Sequence, residues 1–369
     1  MQFSEVFKGV KYLMTDDGRF KAVVYTKSPV FNASLLCSGR EAPDYFNDDE
    51  PYDRLTHVFY TESAPAEGET LTFRYTLRKK SRNIRRQMFR FVPVFADASA
   101  LLGEYDSGTS PERTECETVA DGVEYTHYFC KNKEGAPVHV FGLTVDTKKA
   151  TIYTGTPGDG YVSVGVRAKV PQMIDAAVKN GVNVVAAMNG DFFDMFGDGH
   201  PAGVCVKNGC VVANAGSRRH FLGVKKDGTP VIATLAEEPE LLKELEHAVA
   251  GLQLIVKDGK INDWSPLEPF SYVRHPRTAA GVTKDGKILL LEVDGRIPDY
   301  SNGATLVDLA KMMIKLGADR ALNLDGGGSS ITYTKNGNRF VLRSNPADLF
   351  RPNAMLIRKE YDCILVAKP

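Results

Sequence analysis

Three apolar runs in this chain end in the same way. "VNVVAAMNGDFFD" closes on Asn189-Gly190-Asp191, "LLLEVDGR" on Asp294-Gly295-Arg296, and "LNLDGGGSS" on Asp325 followed by three glycines. Short runs this rich in valine, leucine and alanine, bounded by glycine, read as buried strands. Side chains alternate faces along a strand. Asn323 and Asp325 therefore share one face, opposite Leu322 and Leu324, and Glu292 and Asp294 share another, opposite Leu291 and Val293. Polar residues at the ends of apolar strands, followed by glycine, are where sheet proteins build sites.

An Asp-Gly pair is also the commonest hairpin turn, and Asp227-Gly228, Asp258-Gly259 and Asp285-Gly286 read as turns. Asp294-Gly295 fits either reading. Asp325 reads as a site residue, because three consecutive glycines exceed what a turn requires. Glycine admits positive φ and leaves N–H groups bare, so Gly326–Gly328 reads as an anion nest. No lysine follows these glycines, which excludes a P-loop. Arg277 in "VRHPRTAAGVT" and Arg351 in "NPADLFRPNAMLI" stand beside prolines at strand mouths, where a guanidinium suits a phosphate. His200, His220 and His275 lie near these segments, and none has metal-ligand spacing with another histidine.

The chain has 369 residues, enough for two domains. Residues 1–120 are rich in β-forming runs ("KAVVYT", "THVFYTE", "LTFRYTLR", "FRFVPVF") and read as a small β domain of unassigned role. The polar stretch "GEYDSGTSPERTECETVADG" reads as the boundary. Residues 121–369 read as an α+β domain, a mixed sheet with packed helices. Helices are expected from Pro171, over "PELLKELEHAVAG", and over "ATLVDLAKMMIKLG", whose apolar residues follow a helical period.

Net charge is zero, so no global field favours nucleic acid or a membrane surface. "RKKSRNIRRQMFR", residues 78–90, carries seven basic residues and reads as a solvated hairpin face, with docking of an anionic glycan as the alternative. The six cysteines form no C-x-x-C pair and read as reduced. Cys205 and Cys210 flank an Asn208-Gly209 turn that sets Cys205 opposite Val212, not opposite Cys210. No apolar run reaches the length of a membrane span, and the first twenty residues do not read as a signal peptide, so a cytoplasmic location is expected.

Taken together, "AAMNGDFFD", "GHPAGVCVKNG", "HPRTAAGVTKDGKILLLEVDGR", "GATLVDLAKMMIKLGADRALNLDGGGSS" and "NPADLFRPNAMLI" resemble the phosphodiester glycosidase family, in family order from about residue 121 to 366. The resemblance implies a hydrolase that cleaves a sugar of the N-acetylglucosamine type from a glycosyl-1-phosphodiester at the anomeric C–O bond. The matching positions are Asn189, Asp191, Arg277, Thr278, Asp294, Arg296, Asp325, Gly326, Gly327, Ser329 and Arg351. The family is widespread in bacteria, where phosphoglycans are the plausible substrates.

Such a reaction needs a cation or N–H cradle for the departing phosphate, a role given to Arg277 and the Gly326–Gly328 backbone. It needs a carboxylate on the sugar side, for which Asp325, Asp191 and Asp294 stand in that order. Thr278, Asn189, Arg296, Ser329, Arg351 and His200 are expected to bind substrate. One of the acids could instead hold calcium or magnesium. A phosphoglycan-binding module without catalysis and a metal-dependent phosphodiesterase are the alternatives.

Overall fold

The computed structural model describes residues 7–14, 20–27, 30–43, 56–61, 69–78, 84–91, 111–132, 135–195, 197–214, 219–262, 273–297, 299–347 and 357–369. The chain divides into two compact units, Met1–Tyr105 with Ser265–Val273, and Asp106–Trp264 with Arg274–Pro369.

In the first unit Phe7–Met14, Phe20–Thr26 and Thr56–Thr61 form a three-stranded sheet. Arg40–Pro43, Phe31–Cys37, Leu71–Arg78 and Ile84–Phe91 form a four-stranded one. Period-two alternation makes their core: Phe20, Ala22 and Val24 on one strand meet Leu71, Phe73 and Tyr75 on another, with Phe59 and Leu35 between them. Ile84–Phe91 carries the end of the basic stretch; residues 79–83 lie outside the described residues.

The second unit corrects the α+β expectation. Strands make up 51% of the structure and helices 12%, and every pairing between named strands is antiparallel rather than mixed. One sheet has eight strands, in the order Lys260–Ile261, Leu254–Lys257, Ala318–Asn323, Arg277–Thr283, Ile288–Val293, Pro137–Val145, Val123–Lys131 and Pro111–Ala120. The last of these occupies half of the stretch that looked like a turn-rich boundary. A second sheet runs Thr151–Gly155, Cys363–Lys368, Asn183–Asn189, Thr332–Asn336, Arg339–Leu342, and a third Cys210–Asn214, Val204–Lys207, Leu245–Ala250, Phe221–Lys225, Pro230–Ala233. Leu143, Leu290 and Leu322 of the first, Met188, Ile364 and Val366 of the second, and Leu222 and Val249 of the third share one core.

Two α-helices stand among the described residues. Val170–Lys179 buries Val170, Met173, Ile174 and Ala177 against the second sheet. Leu306–Lys315 begins at Thr305, whose hydroxyl accepts from Asp308 N while the Asp308 carboxylate accepts from Thr305 N. The third expected helix is not one. After a short 3₁₀ turn at Pro239–Lys243, Leu245–Ala250 is a strand paired on both sides, with Phe221–Lys225 and with Val204–Lys207. Two neighbouring strands override the helix propensity of "ELLKELEHAVA". The Asn208-Gly209 hairpin forms, but a bulge sets Cys205 opposite Ala213 rather than Val212, and all six cysteines are free. No helix among the described residues is long and apolar enough to cross a membrane.

Candidate active site

Register brings the three glycine-terminated strands to one end of the second unit. Asn323 pairs with Ala279, and Thr278 pairs with Glu292. Leu324 N donates to the Thr278 carbonyl at 2.8 Å, and Asp325 N to the Gly190 carbonyl at 3.1 Å. Asn189 ties the strands together: its amide donates to the Asp325 carbonyl at 2.7 Å and its Oδ1 accepts from Thr278 Oγ1 at 2.8 Å and Ile331 N at 3.2 Å. Asn189 and Thr278 are fully buried, so their part is to fix the loops.

Asp325 is the least buried of these acids. It and Gly326 and Gly327 are half-buried, while Asp191, Asp294, Glu360 and Asp362 are buried. The glycines are there for fit. A Cβ on Gly326 would stand 2.8 Å from the Pro276 carbonyl oxygen. Gly327 has φ of +64°, and a Cβ there would stand 2.9 Å from the Arg296 guanidinium. Gly326 N donates to Asp325 Oδ1 at 2.8 Å and Gly327 N to Pro276 O at 2.9 Å, so these two N–H groups are engaged within the protein rather than bare.

Behind Asp325 lies a second layer of acids. Arg219 Nη2 donates to Asp191 Oδ1 at 3.0 Å, and Asp191 N donates to Asp362 Oδ1 at 2.8 Å. Neither Asp191 Oδ2 nor Asp362 Oδ2 has a hydrogen-bond partner among the described residues. Burial raises both carboxyls. Asp191 is raised well above its usual range even against the Arg219 charge, and Asp362 is pushed up to about 7, so the two together can hold a proton. Burial also raises Asp325, against the Ser329 hydroxyl, the Arg358 and Arg219 charges and the Gly326 N–H, and it raises Glu360 well above the usual range. Sequence reasoning missed Arg219, Arg358, Glu360 and Asp362. The chain folds the last three in from its closing segment, which carries no glycine signature.

Asp294 belongs to a separate buried cluster. Its carboxylate accepts from Asn345 N at 2.8 and 3.0 Å and from Tyr300 Oη at 3.0 Å. It stands beside Glu292, and burial pushes Asp294 up to about 6 and Glu292 well above its usual range. Arg277 is buried, with Nε donating to Ala304 O at 3.1 Å. Arg296 has a strained φ of +65° and donates from Nη1 to Ala347 O at 3.2 Å, its guanidinium lying against Gly327. His275 is held neutral by burial beside Arg277 and Arg296, at about 3. Ser329 is buried and accepts from Arg358 Nη1 at 3.3 Å; Gly328 is buried beside it. His200 is exposed on a different loop, where it, Asp194 and Asp198 form a group whose ligand atoms lie within 4.8 Å of one another. Arg351 lies outside the described residues.

Two predictions arise here. A Cβ at position 190 would stand 2.1 Å from Asp362 Oδ1 and 3.0 Å from Val249 Cγ1. Gly190→Ala is therefore expected to lower stability by about 1–3 kcal/mol, read from the urea midpoint, and to displace the Asp362 carboxyl from Asp191. The second concerns pH. A carboxyl raised by folding contributes stability that is complete below its unfolded value near 3.8 and is lost as pH rises through its folded value near 7. Asp362→Asn keeps an acceptor for Asp191 N and removes that titration. The wild type is expected to lose more stability than this variant between pH 5 and pH 7.5; equal losses in urea melts would show that Asp362 does not hold the proton.

The second unit is thus a β protein whose antiparallel sheets gather acids and arginines at their strand ends. Residues 182–357 match the model of the phosphodiester glycosidase family. It is similar to N-acetylglucosamine-1-phosphodiester α-N-acetylglucosaminidase from mouse, 30% identical over 48% of this chain and 36% of the mouse protein. The bovine protein of that name is 32% identical over 45% of this chain and 33% of its own length. The chain thus spans about a third of the length of these relatives. Among solved structures, the zebrafish catalytic domain of that name, auto-inhibited by its pro-peptide, superposes with a TM-score of 0.55 at 23% identity, covering 70% of this chain and 89% of that one. A hypothetical protein from Synechocystis superposes with a TM-score of 0.52 at 13% identity, over 98% of this chain and 80% of that one. These two likenesses show the fold alone. Arg358, Glu360 and Asp362 lie beyond the matched stretch.

Proposed function

We propose that the second unit hydrolyses a glycosyl-1-phosphodiester, releasing free sugar and leaving the phosphate on its other alcohol. The observation that carries this reading is the half-buried Asp325 carboxylate at a rim of glycines, under the charges of Arg219 and Arg358. The bond broken joins the anomeric carbon to a phosphate oxygen. The electron pair leaves with that oxygen, and the monoester that forms is stable as an anion with little proton donation. The protein must stabilise positive charge growing on the sugar and negative charge growing on the phosphate. Asp325 meets the first, as nucleophile or as base for water, and guanidinium groups meet the second. Water supplies the hydroxyl of the released sugar and the proton that balances it.

The family match and the named relatives support N-acetylglucosamine as the sugar. The test incubates purified protein with an α-N-acetylglucosamine-1-phosphate ester and measures free sugar and phosphomonoester separately. Equal release of both is expected. Saturable binding without release would make the domain a binding module, and free inorganic phosphate or a sugar phosphate would make it a phosphodiesterase. A chelator arm tests calcium or magnesium: an unchanged rate assigns the chemistry to side chains.

A further inference from the structure

The geometry points to Arg358 as the residue that binds the phosphate of the substrate and so selects phosphodiesters over sugars with uncharged leaving groups. This inference rests on the reading above and names the group that reads the leaving side.

Arg358 comes from a segment that is held just after it. Ala168 and Glu360 exchange two backbone hydrogen bonds, at 2.8 and 3.0 Å, and Tyr361 Oη donates to Val162 O at 3.3 Å. The segment then enters the strand Cys363–Lys368. Arg358 is half-buried, like Asp325, and Nη1 reaches Ser329 Oγ at 3.3 Å. The Ser329 hydroxyl serves the carboxyls of Asp325 and Glu360. The guanidinium thus stands one hydroxyl away from Asp325.

Two other cations near this rim have acceptors of their own. Arg219 donates to Asp191 and to Gly251 O, and Arg277 is buried with Nε on Ala304 O. The charge of Arg358 falls on Asp325 and Glu360. Glu360 is buried, and that burial raises its carboxyl well above the usual range. A phosphodiester is an anion, and bringing it to within reach of the Asp325 carboxylate sets like charges together. A planar guanidinium beside that carboxylate offsets the repulsion and can donate two N–H bonds to the non-bridging oxygens. Arg296, packed over Gly327, flanks the same rim.

The experiment compares wild type, Arg358→Gln and Arg358→Lys on two substrates with the same sugar, a methyl phosphodiester and an aryl glycoside with an uncharged aglycone. Arg358→Gln is expected to lose about 10²-fold or more in kcat/KM on the phosphodiester and only a few-fold on the aryl glycoside, with Arg358→Lys recovering part of the phosphodiester rate. A parallel fall on both substrates would overturn the assignment and give Arg358 a purely positioning role through Ser329 and Asp325. No fall on either would also overturn it. Binding of inorganic phosphate, measured by calorimetry on the same three proteins, separates the two levels. A wild type that releases no sugar but binds phosphate in an Arg358-dependent way removes the glycosidase reading and keeps the anion site. Phosphate binding unchanged in Arg358→Gln removes the site itself.

Discussion

Asp325→Asn is expected to lower sugar release by about 10³-fold or more, with affinity for the phosphodiester retained or improved. Asparagine is the same size as aspartate, and its Oδ1 can still accept from Gly326 N, which stands 2.8 Å from the carboxylate. The glycine rim and the bond from Asn189 to the Asp325 carbonyl therefore remain. What disappears is the negative charge that the proposed reaction sets against the anomeric carbon. An anionic ligand loses nothing by that and is relieved of a repulsion. Steady-state rates paired with calorimetry on the uncleaved diester read both halves. Turnover within ten-fold of wild type would move the chemistry away from Asp325, to Asp191 or to Asp294.

The second large effect is on stability and lies away from the site. Lys207 is fully buried at the end of Val204–Lys207. Its ammonium donates to Thr154 O at 3.1 Å, to Thr156 Oγ1 at 3.0 Å and to the Asp159 carboxylate. Asp159 is held in turn by Asn180 Nδ2 at 2.7 Å and Tyr153 Oη at 3.2 Å. All three ammonium donors are used, which is what makes a buried lysine tolerable. Asp159→Ala leaves the charge buried with two neutral partners, and the expected loss is about 3–5 kcal/mol. That corresponds to a fall in melting temperature on the order of 10 °C for a domain of this size. Asp159→Ala combined with Lys207→Met removes both charges and is expected to recover much of it. A melt of the single variant within 2–3 °C of wild type would show that the pair is not a strong constraint.

The strand ends were readable in the sequence because two local signals coincide there. Alternation put Glu292 and Asp294, and Asn323 and Asp325, on polar faces, and glycine marked where each strand stopped. The structure places Leu322 and Leu324 in the core and Asn323 and Asp325 away from them. The reason for the glycines was not readable. The sequence suggested bare N–H groups for an anion, whereas Gly326 and Gly327 make room for Pro276 and Arg296, residues far away in the chain. Proximity across register cannot be read from one strand. The same limit hid Asp362, which reaches Asp191 N over 171 positions, and Arg219, which follows no motif. The helix expected at "PELLKELEHAVAG" failed because its apolar residues satisfy a period of 3.6 and a period of two over so short a run. Two strands waiting on either side decided it. That misreading, with the assumption that helices must cover the sheets, produced the α+β expectation. In the structure the sheets largely cover one another, through Leu222, Val249, Met188 and Leu290.

Cleavage is proposed between the anomeric carbon and oxygen, with the phosphate leaving intact. Hydrolysis of the glycosyl phosphodiester in ¹⁸O-labelled water, followed by mass spectrometry of both products, tests this. One ¹⁸O is expected in the anomeric hydroxyl of the released sugar and none in the phosphomonoester. Label in the phosphate would place the attack at phosphorus and contradict it.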